Sequence, residues 1–257
     1  MKLWLIRHAD PDYSVDSLTE TGWAEAAALA DYLEKQPIKK FYVSPLGRAK
    51  ATAAVTLRRI GREAEELPWL REFPARPDLT GRDELQEAYP DQTRRGDRLY
   101  ADVIWDMLPE YLADHPEYLD REGWRTAEAA IAAGMPQQYD AVTAELDALL
   151  ARHGYRRQGL YYAVDRANRD TLAFFCHFGL ECVLLSHLLN VSPFVLWQGM
   201  AAAPSSVTVV NTEERRAGTA SFRMARFGDI SHLYAAGRSP SFSARFCETY
   251  DSTEERH

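Results

Sequence analysis

Short apolar runs alternate with stretches in which apolar residues recur at helical spacing, starting from the first residues of the chain. Lys2–Ile6 and Phe41–Val43 are apolar runs of the length expected for buried strands. Leu18–Gly22 opens the first helical stretch with Thr19 as its predicted N-cap, and Ser44-Pro45 is predicted to cap the second. Strand, helix, strand and helix in the first quarter of the chain predict an α/β domain built from βαβ units.

The pattern changes in the middle of the chain and returns later. Residues from about 74 to 124 are rich in Pro, Asp, Arg and Trp, with a helical piece at Leu99–Leu112, and we interpret them as a lid inserted over one end of the sheet. A long helix is predicted from about Thr126 to His153, with an interruption at Gly134-Met135-Pro136. The later predictions are strands at Gly159–Val164 and Thr171–Cys176, a helix at His177–Leu189, and a closing antiparallel pair at Ser206–Asn211 and Ala220–Arg226.

These elements predict a three-layer α/β/α sandwich with a mostly parallel central sheet and an inserted lid subdomain. We expect residues 1–257 to form a single domain, with the lid at about 74–124 and an irregular tail from about residue 237. The chain of 257 residues, 46% of them hydrophobic, is long enough to bury one large core. Within the lid, the candidates for setting substrate choice are Arg76, Arg82, Trp105 and Trp124.

The net charge and the cysteine content limit which partners and which compartment are expected. The 30 Lys and Arg against 38 Asp and Glu give a net charge of −8, which is not that of a general nucleic-acid binder. Cys176, Cys182 and Cys247 are too few for a disulfide framework and favour a reducing compartment. The most apolar stretch, Thr171–Leu189, is interrupted by His and Glu and is not expected to cross a membrane. We therefore expect a cytoplasmic protein without nucleic-acid or membrane partners, and the sequence leaves a homodimer open.

Cationic side chains and histidines stand at three predicted strand-to-helix junctions. Arg7 and His8 follow the first strand, Arg48 lies in the first turn of the second helix, and His177 follows a later strand. Ligands of open α/β sheets bind beyond the carboxyl ends of the strands, so we expect these side chains to meet. A cation at a helix N-terminus is unfavourable unless an anion binds beside it. The sequence therefore predicts an anion site, suited to phosphate, beside an imidazole nucleophile.

The same residues resemble the signature motifs of the histidine phosphatase superfamily, which has the phosphoglycerate mutase-like fold. The resembling segments are Leu5–His8, Leu18–Gly22, Ser44–Ala53 and Phe174–Gly179. The resemblance implies that His8 is the nucleophile and that Arg7, Arg48 and His177 clamp the phosphoryl group. It also places Glu72 where the family has its proton donor. The implied activity is that of a histidine acid-type phosphatase, a hydrolase that acts on a small phosphorylated metabolite without metal or other cofactor.

Several positions depart from the family pattern. Ala9 and Phe178 stand in place of two glycines, and Ser14 stands where many members have Asn. The Gly-x-Trp-x-Gly pattern that usually follows the acidic residue is absent. Ser14 and the backbone N–H of Phe178 remain candidates for binding phosphate. The weakened loop motifs favour a phosphatase over a mutase, which must shield its phosphohistidine from water.

The implied mechanism is a phosphoryl transfer to neutral His8 followed by hydrolysis. Such a transfer requires mainly positioning and stabilisation of charge, which the two arginines and a protonated His177 would supply. Glu72 would protonate the leaving alkoxide and then activate water.

Other readings stay open at this point. A mutase is the main enzymatic alternative, and a non-catalytic module that binds phosphorylated ligands is another. Asp10-Pro11-Asp12 resembles the Asp-x-Asp of Mg²⁺-dependent haloacid-dehalogenase-type phosphatases. A zinc site from His8, His177 and Glu181 is conceivable, although no HExxH or paired-Cys pattern supports it.

Overall fold

A computed structural model of the chain describes residues 1–242 and residue 249. Within these residues the strands are β1 (Lys2–Arg7), β2 (Pro11–Asp12), β3 (Ser17–Leu18), β4 (Lys40–Val43), β5 (Glu65–Glu66), β6 (Gln92–Arg95), β7 (Arg98–Ala101), β8 (Tyr155–Gln158), β9 (Tyr161–Val164), β10 (Thr171–Cys176), β11 (Val207–Arg216) and β12 (Thr219–Asp229). The α-helices are α1 (Glu20–Leu33), α2 (Gly47–Ile60), α3 (Asp83–Ala88), α4 (Pro109–Asp114), α5 (Glu128–Ala132), α6 (Met135–Arg152), α7 (Phe178–Leu189), α8 (Pro193–Gly199) and α9 (Ser231–Ala235). None of these helices is long and apolar enough to cross a membrane.

The chain divides into two compact units. The first holds Met1–Glu72, Leu149–Glu181 and the described residues from Ala201 onward, and the second holds Phe73–Ala148 and Cys182–Met200.

The first unit is built on an eight-stranded sheet in the order β5-β4-β10-β1-β11-β12-β9-β8. Strands β5, β4, β10 and β1 run parallel to one another, and β11, β12, β9 and β8 extend the sheet by antiparallel pairing. The predicted α/β class is confirmed, and the predicted parallel strands form one half of a mixed sheet.

The parallel strands β1 and β10 end level with one another, and β4 ends one residue earlier. Arg7 of β1 pairs with Cys176 of β10, and Phe175 pairs with Val43 of β4. Two further backbone hydrogen bonds extend this alignment past the strand ends, from His8 N to Cys176 O at 3.0 Å and from Ser44 N to Phe175 O at 2.9 Å. The residues that follow the three strands are therefore brought to one edge of the sheet.

Helices α1 and α2 cover one face of this sheet. Alternate residues of β1, Trp4 and Ile6, pack in a buried cluster with Leu29 of α1 and with Phe41 and Phe175 of the neighbouring strands. Full burial of one such side chain contributes roughly 1.5–3 kcal/mol, so this cluster is a main source of stability for the strands that carry the site.

The predicted N-cap is confirmed for α1 but not for α2. Thr19 is the N-cap of α1 as predicted, and its hydroxyl accepts a hydrogen bond from Gly22 N at 3.0 Å. The prediction that Ser44-Pro45 caps α2 is wrong, because α2 begins at Gly47 and its cap residue, Leu46, has no capping side chain. The hydroxyl of Ser44 instead bonds to His177 Nε2.

One of the helices predicted for the middle of the chain is corrected. The helical piece near Leu99–Leu112 is wrong for its first part, which is strand β7 in a hairpin with β6, and only α4 is helical. The long helix predicted from about Thr126 to His153 is interrupted where the sequence predicts it, at Gly134, whose φ of 59° is left-handed and which separates α5 from α6. Trp124 is buried against Tyr139, with ring centroids 5.0 Å apart, and is therefore a core residue of the second unit.

Most of the elements predicted for the later part of the chain are confirmed. Strand β10, helix α7 and the antiparallel pair β11 and β12 are confirmed, whereas β8 and α8 were not predicted. The predicted irregular tail from about residue 237 lies largely outside the described residues, as does Cys247.

Replacing Thr19 by Ala is expected to lower the free energy of unfolding by about 1–2 kcal/mol, because α1 loses its capping hydroxyl. Chemical denaturation measures the change. Ser17→Ala is the matched control, since the Ser17 hydroxyl makes no hydrogen bond among the described residues. Equal stabilities of the two variants would contradict this role of Thr19.

Candidate active site

The structure brings together four of the predicted site residues at the aligned strand ends. The guanidinium of Arg48 donates from Nε to Nε2 of His8 at 3.3 Å. The rings of His8 and His177 lie 5.1 Å apart between centroids, and the Arg7 guanidinium lies 5.9 Å from the ring centroid of Phe178. Arg7, His8 and His177 are buried, so their charges act in a medium of low dielectric constant.

His8 is held as a neutral imidazole whose Nε2 carries the electron pair. Its Nδ1 lies 2.8 Å from the carbonyl oxygen of Ala9, to which it donates a hydrogen bond. Nε2 is then the acceptor for Arg48. Burial, and next the positive charges of Arg7 and Arg48, lower the pKa of His8 well below its usual value. The nitrogen that faces Arg48 is therefore the nucleophilic one.

His177 is held by Ser44. The Ser44 hydroxyl lies 2.7 Å from His177 Nε2, and Nδ1 has no hydrogen-bond partner among the described residues. Burial, followed by the proximity of His8, Arg48, Arg7 and Arg71, lowers the pKa of His177 well below its usual value. The expectation of a protonated His177 is therefore corrected for the protein alone, because burial and the neighbouring arginines favour the neutral ring.

A loop between α8 and β11 encloses Arg7 and the backbone of His8. The Arg7 guanidinium donates from Nη1 to the carbonyl oxygen of Ala202. Ser205 N donates to His8 O at 3.0 Å, and Arg7 N donates to Ser206 O at 3.1 Å. Burial lowers the pKa of Arg7, and the negative charges of Glu72 and Glu181 oppose that shift. The guanidinium of arginine holds its proton far more tightly than other side chains do, so Arg7 stays charged.

Glu72 lies at the same edge of the sheet. Its Oε1 accepts a hydrogen bond from Leu180 N, in the first turn of α7, at 2.9 Å. The side chain is half-buried. This contact fixes a carboxylate near Arg7, as the resemblance implied, and its catalytic role stays a prediction.

Of the other two predicted phosphate ligands, Phe178 lies in the site, and Ser14 is exposed and bonded elsewhere. Phe178 begins α7 directly after His177, so its backbone lies at a helix N-terminus within the site. Ser14 is exposed, and its hydroxyl donates to Oδ1 of Asp12 at 2.6 Å. No hydrogen bond joins Ser14 to His8, Arg48 or His177 within the described residues.

Asp16 contacts the site although the sequence did not single it out. Its Oδ1 accepts from Arg48 Nη1 at 2.8 Å, and its Oδ2 accepts from Gly47 N at 2.6 Å. This carboxylate is an anion at the N-terminus of α2, the position where the sequence predicted one beside Arg48. The two residues are 32 positions apart, so no local pattern could have revealed the contact.

Glu181 is a second carboxylate without a predicted role in phosphate chemistry. It is fully buried, and neither carboxyl oxygen has a hydrogen bond of normal geometry among the described residues. Burial raises its pKa to about 7, while the Thr208 hydroxyl and Arg7 oppose the rise. The zinc reading that used Glu181 gains no support, because the described part of the chain contains no group of three or more His, Cys, Asp or Glu residues arranged to hold a metal ion.

Residues 3–110 match the family model of the histidine phosphatase superfamily (branch 1). No curated protein sequence matches the chain.

Solved structures provide the comparison of the fold. A mutant phosphoserine phosphatase from Entamoeba histolytica, in complex with phosphoserine, is 17% identical, covers 90% of this chain and 98% of its own, and gives a TM-score of 0.56. A mycobacterial glucosyl-3-phosphoglycerate phosphatase is 19% identical, covers 88% of this chain and 98% of its own, and gives a TM-score of 0.53. The resemblance to the histidine phosphatase superfamily is confirmed, and the fold is shared with these enzymes.

Replacing Glu181 by Gln is expected to remove a pH dependence of stability. The folded protein raises the pKa of Glu181 from 4.5 to about 7, so its stabilising effect is complete below pH 4.5 and is lost as the pH rises through 7. Across that window the wild type should lose on the order of 3 kcal/mol of unfolding free energy relative to E181Q. Denaturation at a series of pH values measures the difference.

Glu63→Gln is the control, because Glu63 is exposed and its replacement should leave the wild-type pH dependence unchanged. Parallel stability curves for the wild type and E181Q between pH 4.5 and 8 would show that Glu181 does not titrate differently in the folded protein.

Proposed function

We propose that this protein is a metal-independent phosphomonoester hydrolase of the histidine acid type, which acts on a small phosphorylated metabolite through a phosphohistidine at His8. The observation that carries the proposal is the state of His8. It is a buried neutral imidazole whose Nδ1 is bonded to a carbonyl oxygen and whose Nε2 faces a guanidinium. Such a nitrogen is a nucleophile directed at the position where Arg48 would bind a phosphoryl oxygen.

In the first step, Nε2 of His8 attacks phosphorus and the bond from phosphorus to the leaving oxygen breaks. The leaving alkoxide takes a proton from the carboxyl group of Glu72. In the second step, water gives a proton to Glu72 and attacks phosphorus, the bond to Nε2 breaks, and inorganic phosphate leaves. General acid and base catalysis of this kind contributes ~10²–10⁴-fold in rate.

The surrounding cations stabilise the charge on the phosphoryl oxygens. Arg7 and Arg48 donate hydrogen bonds to these oxygens, and the backbone N–H of Phe178 adds a donor at a helix N-terminus. The negative charge of the substrate opposes the cationic surroundings that lower the pKa of His177. His177 therefore gains its proton together with the substrate and then acts as the third cationic donor.

A phosphatase is favoured over a mutase because the loop motifs of a mutase are weakened. Ala9, Ser14 and Phe178 replace residues common in the family, and Ser14 is bonded to Asp12 on an exposed turn. A binding module without activity is disfavoured, since it would not need a neutral imidazole with its electron pair aimed at an arginine.

The segment from about 74 to 124 is proposed to act as a lid that sets substrate choice. Much of it is buried within the second unit, including Leu79, Leu85 and Tyr89, so exchanging the whole segment would disturb that unit's core. The exposed Arg76 is the candidate best suited to contact the non-reacting part of a phosphorylated substrate.

Incubation with a labelled phosphomonoester, followed by rapid denaturation, should give acid-labile and base-stable label on His8. His8→Ala should lose the label and reduce p-nitrophenyl phosphate hydrolysis by roughly 10³-fold or more, because no other group replaces the nucleophile. His115→Ala, in the second unit, is the matched control and should keep both.

Each alternative has a different signature in this assay. Label on Asp10, or loss of activity with EDTA, would favour the Mg²⁺-dependent reading. Interconversion of 3- and 2-phosphoglycerate with negligible phosphate release would favour the mutase. Binding of phosphorylated ligands without either reaction would favour the binding module.

Replacing Arg76 by Ala is expected to change the ratio of kcat/KM between sugar, nucleotide and glycerate phosphates by about two- to fivefold, because one exposed cation contributes up to ~1 kcal/mol. The unfolding temperature should stay the same. Arg169→Ala, at an exposed position of the first unit, is the control. Unchanged selectivity in R76A would contradict the role of Arg76 in substrate choice.

A further inference from the structure

The N-terminus of α2 is capped by a residue from a distant hairpin. Strands β2 and β3 form this hairpin, and Asp16 lies in the turn between them. The helix's own cap residue, Leu46, offers no side-chain acceptor. Asp16 supplies the acceptor, because its Oδ2 accepts from Gly47 N at 2.6 Å. Its Oδ1 accepts from Arg48 Nη1 at 2.8 Å. One carboxylate thus binds both the helix end and the arginine that faces His8.

Two unusual backbone features permit this contact. Asp16 has a φ of 47°, in the left-handed region that residues other than glycine seldom adopt. Gly47 approaches Asp16 so closely that a Cβ atom on Gly47 would lie 2.0 Å from the Asp16 carbonyl oxygen. A strained residue and a position that admits only glycine therefore place the carboxylate against Arg48.

The contact also fixes how Arg48 presents its nitrogens. Nη1 is bonded to Asp16, Nε points to Nε2 of His8, and the guanidinium lies 5.3 Å from the ring centroid of Tyr13. Within the described residues Nη2 has no hydrogen bond. The Arg48 side chain is 12% exposed, so it has little freedom to rotate away. Asp16 and Tyr13 thus hold two sides of the guanidinium, Nε faces His8, and Nη2 is left for the reacting group.

We propose that Asp16 is a positioning residue for Arg48, which aligns the guanidinium with the nucleophilic nitrogen and restrains its affinity for phosphate. The inference rests on the proposed function, because it concerns the phosphoryl group that Arg48 would bind. Asp16 touches no reacting atom and acts through Arg48.

Alignment and restraint follow from the same ion pair. A guanidinium already fixed at Nη1 loses less freedom when it binds a phosphoryl oxygen, which favours the transition state. The Asp16 carboxylate shares that guanidinium with the phosphoryl group, so the two negative charges repel each other. Repulsion weakens binding of the product, inorganic phosphate, and so promotes turnover rather than product inhibition.

The test is Asp16→Asn, which removes the charge and keeps an oxygen acceptor, on a residue type that tolerates positive φ. Calorimetry with inorganic phosphate should show about three- to tenfold tighter binding, and kcat for p-nitrophenyl phosphate should fall by about three- to tenfold. Asp31→Asn is the matched control, because Asp31 pairs with Arg59 on the surface of α1 and α2. It should change neither quantity.

A second variant separates positioning from simple capping. In an Arg48→Ala background, Asp16→Asn should change neither phosphate affinity nor kcat further, because its effect passes through Arg48. Equal effects in both backgrounds, or a lower unfolding temperature with unchanged phosphate affinity and kcat, would show that Asp16 only caps α2 and would overturn the inference.

The two arms also distinguish the inference from the proposed function. If the wild type binds phosphate but hydrolyses no phosphomonoester, the hydrolase proposal fails while the calorimetric comparison still decides the role of Asp16. If the wild type binds no phosphate, both fail.

Discussion

The shared register of β1, β10 and β4 is the constraint on which the site depends. Arg7 pairs with Cys176 and Phe175 pairs with Val43, so β1 and β10 end level and β4 ends one residue earlier. His8 and His177 therefore follow their strands at the same height, Ser44 lies one residue below them, and the hydrogen bonds from His8 N and Ser44 N continue the ladder beyond the sheet. A shift of one residue in either pairing would turn the side chains to opposite faces and separate the two histidines.

Burial of cations at this edge creates an electrostatic problem that nearby carboxylates reduce. Two arginines and two histidines lie close together, and both histidines respond by releasing their protons more readily. The arginines cannot do so, and they are balanced by Glu72 and Glu181 beside Arg7 and by Asp16 beside Arg48. Hydrogen-bond donors are thereby concentrated at this edge of the sheet, and the nearby carboxylates offset part of their positive charge.

The sequence predicted what depends on local pattern. Apolar runs located β1, β4 and β10, and the residues directly after them located Arg7, His8 and His177. It could not reveal contacts between distant segments, such as Asp16 with Arg48, or the burial that raises the pKa of Glu181. The start of α2 was misplaced for a related reason: the hydroxyl of Ser44 resembles a helix cap in sequence, but it is engaged by His177 from another strand.

The close approach of Gly47 to Asp16 makes two distant stretches of the sequence depend on each other. Any side chain at position 47 would push the hairpin away, and a change in the length of the hairpin turn would withdraw the carboxylate. A change in this turn would therefore alter how the Arg48 guanidinium is held, while both histidines and the sheet stay the same. We therefore expect relatives of this chain that differ in the length of this turn, or that lack glycine at position 47, to differ in how they position the arginine.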